Sequence, residues 1–303
     1  MNPEKKPFPE YIDSSMRGTL ASCQTAFRYS YVENLAVREE SVHLVAGGAF
    51  AKGLEIARKK FYNENCSAAE AVEAGAYAAM EAYSDFQPPE HGSGANKTLV
   101  NVVKAIGFYF QQWPMQSDHI QPWRNSDGTA CVEFSATLPL DVLHPVTGNP
   151  ILYCGRLDML GSYNNLCFAV DEKTTSQLGA SWLNNWNLRS QQTGYVWMAR
   201  EYGYPTAGAI IRGISFLKNS FGHAEVIQYR PEWQIVRWKQ QLEKDVRRAI
   251  EAWKNDDWDL SLDTACTNYG GCQFQKLCVS PNPELWYGEY ATRTWSPIKM
   301  MED

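Results

Sequence analysis

The chain has 303 residues, 44% of them hydrophobic and 13% aromatic, with 28 basic against 34 acidic side chains. That length and apolar content exclude a disordered chain and leave ample core for one large domain or two small ones. The net charge of −6 excludes a coat of basic residues, although an enzyme on nucleic acid needs only a local positive channel.

The opening MNPEKKPFPE has no apolar segment behind its lysines, so no secretory signal is expected. No apolar run approaches the ~20 residues that span a bilayer. A cytoplasmic protein without a membrane partner is the expectation, and its eight cysteines then read as thiols or metal ligands rather than disulfides. Residues 14–32 read as a helix capped by Ser14 or Ser15, with Leu20, Phe27 and Tyr31 at helical spacing and Cys23 among them. A second helix is expected over 48–62. A third starts at Ser67, where Ser67-Ala68-Ala69-Glu70 forms a capping box. A fourth covers 97–112. Pro88, Pro89 and Gly92 mark the main loop of this helical region, 1–125.

Beyond Pro122 and Gly128 the period changes to two. Val132, Phe134, Ala136 and Leu138 alternate with Glu133, Ser135 and Thr137, a strand signature. His144–Pro150 is a turn. After a central hairpin, a helix is expected over 181–202, ended by Gly203 and Pro205. Strands follow at 207–217 and 224–229, then a long helix at 231–253. Helices, strands, a helix, strands and a helix describe an α/β or α+β core, placed at 126–255, with a tail at 256–303. Arg58-Lys59-Lys60 and the series Lys239, Lys244, Arg247, Arg248 could line a positive channel or form ordinary solvated helix faces.

The hairpin occupies Tyr153–Ser176. Asn164-Asn165 can adopt the positive φ angles of a two-residue turn. A turn centred there sets Asp158 directly opposite Asp171, with Cβ atoms roughly 4.5–5.5 Å apart. Strand alternation puts Lys173 on the face of Asp171 and Glu172 on the other. Two carboxylates and an ammonium thus converge, a place for a divalent metal and a water. A solvated salt bridge is the alternative, but Leu157, Leu160, Leu166, Phe168 and Val170 mark the strands as buried, where unpaired charge is costly.

Cys266, Cys272 and Cys278 recur with five residues between neighbours in a polar, turn-rich stretch. They read as metal ligands for a zinc ion or an iron–sulfur cluster, either of which needs a fourth ligand, and Cys23 is the candidate. Cys66, Cys131, Cys154 and Cys167 lie in or near apolar elements and read as buried thiols.

With these residues in view, the chain resembles the PD-(D/E)XK nuclease superfamily. More narrowly, it resembles the RecB-type branch that includes phage-encoded exonucleases and CRISPR-associated adaptation nucleases. Gly155-Arg156-Leu157-Asp158 matches Gly-x-x-Asp, Asp171–Thr175 matches Asp-x-Lys-Thr-Thr, and Gln191 with Tyr195 matches Gln-x-x-x-Tyr on the following helix. Ser15–Phe27 resembles the opening helix that carries the first cluster cysteine, and the three late cysteines match the closing part of a 4Fe–4S site. Two departures stand out. Ala51 occupies the position of a metal-binding histidine in Gly47–Glu55, and five residues separate Cys266 from Cys272, where many relatives have two.

The resemblance implies a restriction-endonuclease-like core, a mixed central sheet flanked by helices, with a helical N-terminal region. The cysteine-rich tail would pack back on the N-terminal helix, all within one nuclease domain. It implies phosphodiester hydrolysis on DNA, as an exonuclease acting on single strands or ends. Mg²⁺ or Mn²⁺ would be held by Asp158, Asp171 and the backbone carbonyl of Glu172, with Lys173 stabilising or accepting the proton of a bound water. Gln191 and Tyr195 would hold a phosphate or stack a base. A 4Fe–4S cluster, or Zn²⁺, would sit on Cys23, Cys266, Cys272 and Cys278. The further partners implied are recombination or replication proteins, and the origin implied is a virus. Glu55 is read as paired with Lys59 rather than as a substitute ligand. Two other readings remain open: a catalytically weak nucleic-acid-binding protein on the same fold, and an unrelated zinc-binding structural protein.

Overall fold

The structure, a computed structural model, describes residues 5–92, 94–267, 271–293 and 295–298. In chain order the first elements are β1 (Tyr11–Ile12), α1 (Ser14–Ser22), α2 (Gln24–Phe27), β2 (Leu35–Ala36), α3 (Val42–Tyr62), α4 (Ala68–Tyr83) and α5 (Leu99–Gln112). Then come β3 (Gln121–Pro122), β4 (Val132–Leu143), β5 (Pro150–Tyr163), β6 (Leu166–Thr175), α6 (Ala180–Asn184) and α7 (Ser190–Glu201). The last are β7 (Thr206–Phe216), β8 (Phe221–Tyr229), α8 (Glu232–Asn255), α9 (Thr264–Thr267), α10 (Gln275–Cys278) and β9 (Ala291–Thr292). The chain divides into two compact units, one of residues 1–39, 136–155 and 236–303, the other of 40–135 and 156–235.

In the unit of residues 40–135 and 156–235, Asn164 and Asn165 have φ of 49° and 62°. Asparagine tolerates this left-handed region, and two such residues make the turn whose twist suits a hairpin. The ladder that follows pairs Tyr163 with Leu166 through Met159 with Val170, the register the turn dictates. β6 then pairs in parallel with β7, Asp171 opposite Ile211 and Lys173 opposite Gly213. β7 pairs antiparallel with β8, and β3 pairs antiparallel with β5 at Ser162 and Gly161. Parallel pairing needs a crossover, and α6 and α7 supply it.

Both faces of this sheet are covered. Phe50 and Leu54 of α3 and Ile106 and Tyr109 of α5 share a buried cluster with Ile214 and Phe216 of β7. On the other face, α7 buries Gln192, Val196 and Ala199, spaced at i, i+4 and i+7. α3 and α4 touch through Gly53 and Gly75, where a Cβ at Gly53 would come within 2.9 Å of the Gly75 carbonyl oxygen.

In the other unit, β1 pairs in parallel with the start of β5 (Tyr11 with Leu152) and β2 pairs antiparallel with β9. α8 buries Leu242, Val246, Ala249 and Ile250 as one stripe. The helix expected over 14–32 is interrupted. Asp13, not a serine, caps it by accepting the Met16 N–H at 2.7 Å. Cys23 is then extended (φ −161°, ψ 123°) between α1 and α2, and Arg28–Val32 forms a π-helical turn. Two further boundaries differ: α3 begins at Val42 rather than near 48, and the helix expected over 181–202 is two helices, α6 and α7.

Gly75→Ala would press a methyl against the Gly53 carbonyl. It should destabilise the fold by about 1–3 kcal/mol in urea unfolding; an unchanged midpoint would show that the helices do not touch there.

Candidate functional site

Asp158 on β5 and Asp171 on β6 each stand one residue beyond the Met159–Val170 pair that ends the ladder. Asp158 accepts the Glu172 N–H through Oδ2 at 2.8 Å. Asp171 is 2% exposed. Lys173 Nζ donates to it at 2.7 Å, and Gln192 Nε2 donates to its Oδ2 at 3.0 Å. Two acids, a lysine and an amide from three elements therefore meet at one end of the hairpin.

Glu172 points the other way, into the layer of α3 and α5. Arg58 and the Tyr109 hydroxyl both donate to its Oε1, the latter at 2.9 Å. Arg212 Nη1 donates to the Tyr109 oxygen at 3.2 Å and grips Asp118 through two bonds of 2.6 and 2.7 Å. Arg58, Tyr109 and Arg212 are each buried. This ionic network fastens β6 from behind, and with it the N–H that Asp158 accepts.

Burial pushes Asp158 well above the usual carboxylate range, and the charges of Glu172 and Asp171 push it the same way. Burial raises Asp171 too, against the pull of Lys173. Burial would also raise Glu172, but Arg58 overrides it and holds that carboxyl low, at about 2. For Lys173 burial opposes charge, yet Asp171 and Asp158 outweigh it and hold the ammonium above its usual range. The facing pair thus favours retaining protons, while Lys173 is a firm cation.

The remaining residues singled out in the sequence fall around this centre. Gln191 donates to the Tyr195 hydroxyl at 3.0 Å, and it is the neighbouring Gln192 that reaches Asp171. The sequence carried a signal for Gln192: it is polar on the face that Val196 and Ala199 bury. Glu55 is held by Lys59 at 2.6 Å and Lys52 at 3.0 Å. Ala51 lies one turn beyond Gly47, whose Cβ, if present, would be 3.5 Å from Thr174 Oγ1. Glu133 was missed. It has a left-handed φ of 59° inside β4, where a non-glycine residue is strained. Its carboxylate lies 3.1 Å from Arg156 Nε, and burial raises it to about 7 against that arginine. Alternation alone made it an ordinary outward-facing residue.

Cys23, Cys266, Cys272 and Cys278 line one cavity of ≈ 390 Å³, with Ser14, Thr19 and Gln275 among its other walls. Several backbone contacts shape it. Cys272 N–H donates to the Cys266 carbonyl at 2.8 Å, and Thr25 Oγ1 donates to the Asp259 carbonyl at 2.9 Å. Burial raises the Cys278 thiol to about 11, and the other three thiols push it further in that direction. Cys131, Cys154 and Cys167 are buried, and Cys66 is half-buried. Among the described residues no group of three or more His, Cys, Asp or Glu side chains is arranged to hold a metal ion. Among them, too, no helix is long and apolar enough to cross a membrane.

A sequence model of the PD-(D/E)XK nuclease superfamily matches residues 16–279. No curated protein matches the chain. Among solved structures, a protein from Eubacterium rectale described as a candidate exonuclease is similar over 85% of this chain and 87% of its own. That likeness has 14% identity and a TM-score of 0.49. The structure of SSO0001 is similar over 75% of this chain and 82% of its own, at 12% identity and a TM-score of 0.29.

The raised Glu133 carboxyl makes stability depend on pH. From its usual 4.5 to about 7 the folded chain keeps a proton that the unfolded chain has lost, so stability falls as pH rises through that window. Glu133→Gln should therefore melt at a higher temperature than wild type near about pH 8 and coincide with it near about pH 4. A lower melting temperature at the higher pH would show that the ionised carboxylate is stabilising.

Proposed function

The chain belongs to the PD-(D/E)XK nuclease superfamily, and from that premise we propose that it is a metal-dependent deoxyribonuclease, an exonuclease acting on single-stranded or end-containing DNA. The observation that carries this reading is the convergence of Asp158, Asp171 and Lys173 at one hairpin end. Membership removes the alternative of an unrelated zinc protein.

The residues fit a hard divalent cation. Asp158, Asp171 and the Glu172 carbonyl would hold Mg²⁺ or Mn²⁺, since such ions favour oxygen donors. Both carboxyls are pushed upward by burial and by the charge of Glu172, Asp158 also by Asp171, a cost that a cation relieves. When bound, such a cation supplies an acidified water and neutralises charge on the scissile phosphate. Lys173, held as an ammonium, donates and stabilises developing negative charge rather than accepting a proton. Gln192 keeps Asp171 aimed. Gln191 offers its amide to a phosphate, while Tyr195, only 7% exposed, positions that amide and is a poor open platform for stacking.

The four cavity cysteines would hold a 4Fe–4S cluster. Burial and then the neighbouring thiols raise Cys278 and Cys272, a cost to their thiolates that a cationic core offsets. Processing of DNA ends implies recombination or replication proteins as partners. The second reading, a weak or inactive binding protein, rests on Ala51, which offers only a methyl where the family places a ligand.

Wild type, prepared anaerobically, should digest single-stranded or end-containing DNA with Mn²⁺ better than with Mg²⁺, because Mn²⁺ tolerates looser geometry. Lys173→Ala should lower cleavage by about 10²–10³-fold with little change in melting, and Asp158→Asn should weaken metal binding. Full activity in Lys173→Ala would remove that residue from the mechanism; no cleavage by wild type with either metal would favour the binding-protein reading. Ala51→His should raise activity at low metal. Serine at Cys23, Cys266, Cys272 or Cys278 should bleach visible absorbance and lower melting together. A colourless protein containing zinc would refute the cluster.

A further inference from the structure

Lys97 is 2% exposed, and lysine is almost never this buried without an acid beside it. Among the described residues no carboxylate is ion-paired with it. Its Nζ donates to Thr174 Oγ1 at 3.2 Å and lies 5.9 Å from the centre of the Phe216 ring. An ammonium has three donors, and this one has a single hydroxyl partner.

Its surroundings add positive charge rather than offset it. Lys97 immediately precedes Thr98, the N-cap of α5, a helix of 14 residues with no acid in its first turn. The positive end of that helix dipole therefore reinforces the lysine. Burial and then Lys97 itself push the nearby His43 below its usual range, and burial pushes Lys97 down as well. The pair is not sealed. Thr174 is half-exposed, and Gly47 of α3 approaches its hydroxyl without a side chain, a Cβ there lying 3.5 Å from it.

A charge left uncompensated destabilises the fold, and residues kept at such expense belong where a counter-charge arrives. The Thr174 side chain lies on the face of β6 that Glu172 takes, opposite Asp171 and Lys173. An anion held here is therefore not the scissile phosphate, and the other anions of a nucleic-acid strand are its remaining phosphates. Building on the nuclease reading, we propose that Lys97 and the Thr174 hydroxyl bind a substrate phosphate other than the scissile one. It is either an internal diester or a terminal monoester, which share the chemistry of an anionic, oxygen-rich acceptor.

The test uses full-length wild type, Lys97→Met, Lys97→Arg and Thr174→Val. Melting is measured with and without inorganic phosphate. Binding of labelled single-stranded DNA, with a 5′-phosphate or a 5′-hydroxyl, is followed across salt concentrations in Ca²⁺. Lys97→Met should melt no lower than wild type, because a buried unpaired charge is gone. Phosphate should raise the melting temperature of wild type and Lys97→Arg but not of Lys97→Met, with Thr174→Val responding weakly. The slope of log affinity against log salt should fall in magnitude by about 0.7 in Lys97→Met. Loss of a 5′-phosphate preference assigns the terminal group; equal weakening on both DNAs assigns an internal diester. A Lys97→Met protein that melts well below wild type, with an unchanged salt slope and phosphate response, overturns the proposal and makes Lys97 structural. The phosphate arm needs no DNA: a response through Lys97 in a chain that neither binds nor cuts DNA upholds the anion site and defeats the nuclease reading. DNA cleavage with Lys97→Met unaffected does the reverse.

Discussion

Two carboxyl groups buried where a pair of strands meets are costly to ionise, and the groups around them answer that cost. Asp158 and Asp171 sit just past the end of the β5–β6 ladder, whose register is set by the Asn164-Asn165 turn, and a slip of a single residue would send one of them to the opposite face. What makes the pair tolerable is local: the Glu172 N–H on Asp158, and Lys173 and Gln192 on Asp171. Those contacts come from three directions and leave both carboxyls above their usual range. Two acids beside one fixed ammonium form the arrangement on which the proposed cation site rests.

The opposite face of β6 is as constrained. Glu172 accepts from Arg58 and Tyr109 through Oε1, and Tyr109 is in turn bonded by Arg212. Removing one partner from a buried charge network leaves the other uncompensated, a penalty of several kcal/mol in typical cases. The network therefore resists rotation of the strand and keeps Asp171 and Lys173 on the side that α7 covers. α3 brings Arg58 to this point, and the close approach at Gly53 and Gly75 holds α3 against α4. Helix packing, a buried salt bridge and strand register together fix the positions of Asp171 and Lys173.

Much of this was legible in the sequence because it depends on short-range rules. The Asn164-Asn165 turn determines which residues oppose, and strand alternation separates Glu172 from its neighbours. The capping box at Ser67 marks the start of α4. Features set by tertiary context were not legible. Periodicity carries through Cys23, yet the backbone breaks there between α1 and α2, a break that accompanies the presence of its thiol in the cavity. Glu133 alternates like a surface residue, and only its left-handed backbone shows otherwise. β1, β2, β3 and β9 have two residues each, too few for any period to register. Gln192 was outranked by Gln191 because spacing to Tyr195 favoured the latter, whereas hydrogen bonding to Asp171 depends on which face of α7 meets the sheet.

The account turns on the facing carboxylates acting as a cation site, and Mn²⁺ titration calorimetry in two buffers of different protonation enthalpy tests that most directly. Since burial raises both carboxyls, Mn²⁺ should bind with a proton release that grows as pH is lowered, and Asp158→Asn should lose the binding and reduce the release. Mn²⁺ that fails to bind the wild type, or binds it and Asp158→Asn alike, would contradict the account.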